Sequence, residues 1–175
     1  MSDRLGTLRD MKPWVWAWNA GLRTLRGVHP ALARPDDAWA EARLPAAERA
    51  LYCAMDPRER DHHVRVARAI LARHPDATPQ LVRAALLHDV GKSQRPYRVV
   101  ERILVHLVRG EVPAPQPIQM GWQGARQVAA HHAAYGASMI LEAGGDPRVA
   151  ELVSRHEQPE GDEEAKALHE ADRRT

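Results

Sequence analysis

The stretch Ala84-Ala85-Leu86-Leu87-His88-Asp89-Val90-Gly91-Lys92 places a histidine and an aspartate side by side at the end of an apolar helical run. Burying two polar groups among Leu, Ala and Val side chains is costly unless a partner satisfies them. A divalent metal ion would do so, because imidazole nitrogen and carboxylate oxygen are both ligands for Zn, Mn and Fe. The competing interpretation is a solvent-facing pair at a helix end, and this stretch alone does not decide between the two.

Three further segments place a histidine or an aspartate on the apolar stripe of a predicted helix, with the spacing of residues that share one helix face. The stripes run Val149, Leu152, Val153, His156; Ala165, Leu168, Asp172; and His132, Gly136, Ile140. A lone inward histidine is usually a hydrogen-bonded core residue, and a lone inward carboxylate is rare. Several such residues in one chain favour a single shared metal site.

The segment Asp61-His62-His63-Val64-Arg65-Val66-Ala67 resembles the opening motif of HD-domain metal-dependent phosphohydrolases, in which a His precedes x-x-Arg-Val. Leu87-His88-Asp89-Val90-Gly91-Lys92 is similar to their central motif, and Ala167-Leu168-His169-Glu170-Ala171-Asp172 is similar to their closing Ala-Asp motif. The resemblance covers roughly residues 45 to 172. It implies an all-α, HD-domain-like bundle of about six to seven helices. It also implies that one metal is held by His62, His88, Asp89 and Asp172.

Two more histidines extend the resemblance to HD subfamilies that hold two metals. His132 stands four residues before Gly136-Ala137, and Arg155-His156-Glu157 stands where those subfamilies carry a His-His-Glu or similar segment. The implied ligand set is His62, His88, Asp89, His132, His156 and Asp172. Arg155 and the lack of a Gly-Tyr-Pro element after it argue against the branch that hydrolyses cyclic di-GMP.

The resemblance implies one or two divalent metal ions and hydrolysis of a phosphoester or phosphoanhydride bond in a nucleotide-like small molecule. Mn or Fe is favoured because the donor set lacks a thiolate, although Zn, Mg, Co and Ni also fit. Asp89 would bridge the metals and orient the nucleophile, and Lys92 would neutralise charge on the phosphoryl oxygens. Arg65 is a second candidate for binding phosphate. Two alternatives stay open: a di-iron oxygenase of the HD-like type and a non-catalytic nucleotide-binding regulator.

Lys92 stands out in a chain whose basic residues are almost all arginine. The 25 basic residues include only three lysines, at positions 12, 92 and 166. A compact ammonium binds phosphate as a point charge, whereas a guanidinium requires a bidentate geometry. We interpret the adjacent Gly91 as a residue that ends the helix and lets the backbone come close to a ligand.

Helical periodicity does not indicate which histidine is the metal ligand in the adjacent pairs His62-His63 and His131-His132. His62 and His63 lie about 100° apart on a helix, and each continues an apolar face. The spacing of the family motif selects His62, and the distance to Gly136 selects His132 over His131. The remaining member of each pair is either a partner of the ligands or exposed.

Pro and Gly divide the chain into segments with helical periodicity. We predict helices over residues 45–55, 57–73, 79–90, 96–109, 131–144, 147–157 and 162–172. No segment alternates with period two between hairpin turns, so we predict an all-α fold. The loop over residues 111–119 contains three prolines and is either a rim or lid over the site or a passive connector.

A length of 175 residues is enough for one domain with a sizeable core. We predict that the metallohydrolase domain spans residues 36–175. Residues 1–35 form a separate segment in which basic residues flank Trp14, Trp16 and Trp18. This segment lies in a membrane interface or packs on the domain or a second subunit, and packing is the favoured interpretation.

Charge and apolar pattern exclude several classes of partner. The formal net charge is +2 with both signs interleaved, so no basic stripe indicates nucleic acid. No apolar run is long enough for a spanning helix, and the first residues lack a signal-peptide pattern. The single Cys53 suits a reducing compartment. We therefore expect a cytoplasmic protein acting on a small phosphorylated molecule, and a homo-oligomer is compatible with the sequence.

Overall fold

The structure is a computed structural model, which describes residues 33–95, 101, 105 and 112–175. These residues contain seven α-helices, one 3-10 helix and no strand, which confirms the predicted all-α, HD-domain-like fold. The helices are α1 (Asp37–Glu41), α2 (Ala46–Cys53), α3 (Pro57–Arg73), α4 (Pro79–Leu87), α5 (Gly121–Glu142), α6 (Pro147–Arg155) and α7 (Glu163–Arg174), with the 3-10 helix at Val90–Gln94. The Trp-rich segment up to residue 32 and most of the predicted helix 96–109 lie outside the described residues.

Three of the helices begin at a proline, as the sequence predicts. The preceding residues Asp56, Thr78 and Asp146 each accept a hydrogen bond from a backbone N–H of the first turn, at 2.8–3.2 Å. Proline at the first helical position needs no such partner, since it has no N–H. These caps set where α3, α4 and α6 begin, and so fix the register of the histidines that follow.

Two predicted boundaries were wrong. Helix α5 begins at Gly121 instead of residue 131, because burial of Ala125 and Val128 outweighs the low helix propensity of the two glycines in this stretch. Helix α4 ends at Leu87, so that His88 and Asp89 lie in a turn before the 3-10 helix instead of inside a helix ending at residue 90. The short helix α1 was not predicted.

The core lies between α3, α4, α6 and α7. Its fully buried side chains include Ile70, Leu86, Leu87, Leu152 and Leu168. Helix α5 packs against α6 and the 3-10 helix. This arrangement brings the ends of α4 and α6 next to the middle of α5 and the sides of α3 and α7.

Gly91 is where the 3-10 helix and α5 come closest. A Cβ atom at this position would lie 2.0 Å from the His132 carbonyl oxygen and 2.6 Å from the Gly136 backbone nitrogen. The sequence led us to expect a close approach of the backbone to a ligand at Gly91. The close approach in the structure is to the backbone of α5.

We expect Gly91→Ala to destabilise the protein by about 1–3 kcal/mol, because the added methyl group overlaps backbone atoms that cannot move aside as a side chain would. The measurement is the melting temperature of the metal-free protein. Gln94→Ala is the control, since Gln94 is an exposed residue of the same 3-10 helix. Equal melting temperatures for the two variants would contradict the close packing of Gly91 on α5.

The proline-rich loop is fastened along α5. Gln127 is fully buried, and its amide donates to the Ala114 and Pro117 carbonyls at 2.6 and 2.8 Å and accepts from the Gln119 N–H at 2.8 Å. Two further residues of α5 contact the loop: His131 donates to the Pro113 carbonyl at 2.9 Å, and the Tyr135 hydroxyl donates to the Pro115 carbonyl. These hydrogen bonds hold the loop against α5.

Candidate metal centre

His88 and Asp89 are held in the turn between α4 and the 3-10 helix. His88 is fully buried, and its Nδ1 donates to the Ala85 carbonyl at 2.9 Å. Its Nε2 is also buried, and no described residue forms a hydrogen bond with it. Two carboxylate oxygens lie nearby, at 3.4 Å on Asp172 and 3.7 Å on Asp89. Burial opposes charge on His88, but these two carboxylates outweigh it and raise the pKa of the ring. The negative charge of these two carboxylates also favours a bound cation.

His132 and His156 repeat this arrangement from α5 and from the end of α6. Each Nδ1 lies within hydrogen-bond distance of the carbonyl three residues earlier, at 3.1 Å for His132 and 2.7 Å for His156. Because a carbonyl can only accept, each Nδ1 carries the hydrogen. The Nε2 atoms lie 3.2 and 3.9 Å from Asp89 Oδ1. Burial and the neighbouring His88 lower the pKa of His156 to about 4, so its Nε2 presents a lone pair at neutral pH.

The remaining two predicted ligands come from α3 and α7. His62 Nε2 and Asp172 Oδ1 are 2.9 Å apart, and both side chains are partly exposed. Burial alone would raise the pKa of Asp172, but the hydrogen bond from His62 and the nearby ring of His88 hold it far below its usual range. Asp172 is therefore a carboxylate at neutral pH.

The structure thus brings all six predicted ligands together as two groups that share one residue. The ligand atoms of His62, His88 and Asp89 lie within 4.8 Å of one another, and we call this group, with Asp172, the first half-site. The second half-site consists of Asp89, His132 and His156, whose ligand atoms also lie within 4.8 Å of one another. Asp89 belongs to both. Its Oδ1 faces the second half-site and its Oδ2 faces the first.

These residues fit a divalent metal. Two donors bound at about 2.1 Å to the same ion can be at most about 4.2 Å apart, and the separations around Asp89 and Asp172 are 2.9–3.9 Å. Within the described part of the chain, no hydrogen bond competes with a metal for the buried His88 Nε2. Nitrogen and carboxylate donors without a thiolate suit Mn, Fe and Zn.

Lys92 lies at the edge of the centre. Its ammonium is 2.6 Å from Asp89 Oδ2, and the side chain is 30 % exposed. Burial would lower the pKa of Lys92, but attraction to Asp89 outweighs it and raises the pKa. The Asp89 carboxyl group is affected in turn. Burial alone would raise the pKa of Asp89, but the nearby Lys92 and His88 hold it well below its usual range. Lys92 is therefore charged and beside the two half-sites.

Arg65 lies on α3 one turn beyond His62 and contacts two other groups. Its Nε is 3.3 Å from Asp61 Oδ2, and its Nη1 donates to the Thr175 carbonyl at 3.1 Å. The side chain is 41 % exposed. Arg65 stays a candidate for phosphate binding, secondary to Lys92.

Sequence reasoning did not assign four residues that the structure places at or beside the centre. Glu157 Oε1 is 3.7 Å from His132 Nε2. Glu59 is buried one turn before His62 and helps to raise the pKa of Lys92. His169 Nδ1 donates to the His156 carbonyl at 2.7 Å, which ties α7 to the end of α6. The fourth is His63, which is fully buried. Helical spacing to His62 could have identified Glu59, and adjacency to His156 could have identified Glu157.

Comparison with known proteins gives a family match. The family model described as HD domain matches residues 60–175, which is more than half of the chain and includes every residue of the two half-sites. No curated protein and no solved structure matches the chain. Among the described residues, no helix combines the length and apolar character needed to cross a membrane.

Proposed function

We propose that this chain, which belongs to the HD domain family, hydrolyses a phosphoester or phosphoanhydride bond of a nucleotide-like small molecule. HD domains are in general metal-dependent hydrolases, and the proposal extends this to a substrate class. The observation that carries it is Asp89, whose two oxygens face different pairs of imidazoles while a charged lysine contacts the same carboxylate. Such a centre can hold two cations and a phosphoryl group together.

The six candidate ligands would bind two metal ions in two groups. His62, His88, Asp89 and Asp172 would hold one metal, and Asp89, His132 and His156 would hold the other. A divalent metal in such a centre lowers the pKa of a water molecule to near neutrality and polarises a phosphoryl oxygen. The Nδ1 hydrogen bonds of the buried histidines fix the ring orientation and leave Nε2 free for this purpose.

The open edge of the centre suits a small phosphorylated molecule. Three side chains at this edge are partly exposed, by 27 % for His62, 30 % for Lys92 and 32 % for Asp172. His88, by contrast, is fully buried. A substrate would therefore approach from the side that carries Lys92 and place its non-bridging oxygens against the ammonium. Nucleotides offer several such oxygens on a phosphoanhydride, which is why we propose them as the first compounds to screen.

The test combines metal analysis with a substrate screen. Purified protein is stripped with a chelator, reloaded with Mn²⁺, Fe²⁺, Co²⁺ or Zn²⁺, and analysed for bound metal. Each preparation is then incubated with mononucleotides and dinucleotides. We expect up to two metals per chain and metal-dependent phosphate or nucleotide release. Iron-dependent oxygen uptake with no hydrolysis, or failure to retain any metal, would contradict the proposed function.

Lys92→Ala is expected to lower kcat/KM by about 10²-fold, since one charged contact to the transition state is lost. Metal content should not fall, because a lysine beside Asp89 competes with a metal for that carboxylate and does not assist it. Lys92→Arg should recover only part of the rate, because a guanidinium imposes a different geometry. The measurement is steady-state kinetics with metal analysis of the same samples.

Lys166→Ala is the matched control. Lys166 also forms an i,i+3 ion pair, with Glu163 on the exposed side of α7. We expect this variant to have an unchanged kcat/KM. A rate within about threefold of the wild type for Lys92→Ala, a difference below about 1 kcal/mol, would remove Lys92 from the mechanism.

A further inference from the structure

His63 is a buried imidazole that the six-ligand set does not use. It lies on α3 next to His62 and is 0 % exposed. Its ring packs against the ring of His88, with 4.3 Å between the centroids. The sequence leaves His63 as a partner of the ligands or an exposed residue, and its burial excludes exposure.

The ring orientation of His63 is fixed by one hydrogen bond. Nδ1 lies 3.1 Å from the Leu86 carbonyl oxygen on α4. Since a carbonyl can only accept, Nδ1 carries the hydrogen and Nε2 presents a lone pair. This Nε2 is buried and has no hydrogen-bond partner among the residues that the structure describes. A buried polar atom without a partner costs free energy, whereas an apolar side chain of similar size would avoid that cost.

The unpartnered Nε2 faces the first half-site. It lies 3.9 Å from Asp89 Oδ2, the oxygen that also faces His88. This separation is too long for a hydrogen bond. It is within the span of about 4.2 Å that two donors on the same metal can have. The separation is therefore compatible with two donors to one metal and not with a hydrogen bond between the two groups.

We propose that His63 Nε2 is a further donor to the metal of the first half-site, in addition to His62, His88, Asp89 and Asp172. The proposal rests on the proposed metal centre. It assigns three imidazoles and two carboxylates to the first half-site and leaves the second with two imidazoles and the shared Asp89. The first half-site then binds metal more tightly than the second and is filled first.

The test compares the effect of one substitution on the metal-free and on the metal-loaded protein. His63→Leu replaces the unpartnered Nε2 by apolar atoms, which is favourable, and removes the Nδ1 hydrogen bond to the Leu86 carbonyl, which is unfavourable, so the melting temperature of the chelated protein should change little. The affinity of the tighter site for Mn²⁺, measured by calorimetric titration, should fall by at least about 10-fold, the lower bound for changes outside the ligand set. If His63 had only a structural role, its replacement would not lower the Mn²⁺ affinity without also lowering the melting temperature of the metal-free protein.

His131→Leu is the matched control, because His131 is the other histidine adjacent to a predicted ligand and its Nε2 donates to the Pro113 carbonyl of the proline-rich loop. Its Mn²⁺ affinity should match the wild type. His63→Met, with a flexible side chain of similar size, is the second variant if His63→Leu does not fold. A crystal structure of the Co²⁺-loaded wild type gives a direct answer: we expect His63 Nε2 at about 2.1 Å from the ion.

Wild-type Mn²⁺ affinity in a folded His63 variant, or a distance above about 3 Å in the Co²⁺-loaded crystal, would overturn the role of His63. A protein that binds no metal would overturn it as well. The proposed function fails on a different result. If metal binds with the predicted dependence on His63 and no phosphorylated compound is hydrolysed, the assignment of His63 stands and the phosphohydrolase does not.

Discussion

Replacement of Asp89 by asparagine is expected to remove metal from both half-sites and to abolish hydrolysis. Asp89 is the only residue common to the two groups of candidate ligands among the described residues. The change removes the negative charge that the surrounding imidazoles and Lys92 share. Changes outside the ligand set cost about 10–100-fold in metal affinity, so the loss of a shared ligand should cost on the order of 10³-fold or more.

The measurement is the metal content of Asp89→Asn after reloading and desalting, with turnover on any substrate from the screen. Asp76→Asn is the control, because Asp76 is exposed in the turn between α3 and α4. A comparison with His156→Ala tests whether the two half-sites share Asp89. His156→Ala should empty the second half-site and leave the first filled, whereas Asp89→Asn should empty both. One retained metal in Asp89→Asn would show that the two half-sites do not depend on the same carboxylate.

Helix periodicity indicated that several histidines and aspartates face one shared site, and the resemblance to HD-domain motifs selected His62 over His63 and His132 over His131. His156 and Asp172 continue apolar stripes of α6 and α7, and a polar residue on such a stripe must face the interior. His88 and Asp89 end the apolar run of α4. Packing of these helices around one core then brings the polar ends together, as the structure shows.

Periodicity could not supply the orientation of each ring. Which nitrogen of His63 is free depends on the Leu86 carbonyl of another helix, and the ion pair of Lys92 depends on how the chain turns after His88. The first is a tertiary contact between helices, and the second is a local contact set by the turn that follows α4. The start of α5 was misplaced for a similar reason, since the burial that stabilises its first turns comes from other elements and not from its own propensity.

A buried ion pair far along the sequence from the ligands supports the same arrangement. Glu48 on α2 is 0 % exposed, and it accepts hydrogen bonds from both Nε and Nη2 of Arg83 on α4. It also accepts a hydrogen bond at 3.1 Å from the backbone N–H of Asp146, which caps α6. Glu48 therefore joins the two helices whose ends carry His88 and His156.

We expect Glu48→Ala to destabilise the metal-free protein by up to about 3–5 kcal/mol, because the Arg83 guanidinium, only 14 % exposed, loses its bidentate partner and keeps the longer contact with Asp146 Oδ2 at 3.5 Å. The measurement is the free energy of unfolding from denaturant titration of chelated protein. Glu151→Ala is the control: Glu151 pairs with Arg148 and Arg155 at the surface, where such pairs contribute at most about 1 kcal/mol.

The double variant Glu48→Leu with Arg83→Met separates the loss of the ion pair from the loss of packing. Replacing both members of a buried pair by apolar side chains of similar volume is often close to neutral, because no charge stays buried without a partner. The double variant should therefore be more stable than Glu48→Ala, with a residual loss from the unpaired Asp146 N–H. If the double variant is as unstable as the single one, the cost arises from the lost hydrogen bond to the Asp146 N–H, which both variants share, and the Arg83 guanidinium is not its cause.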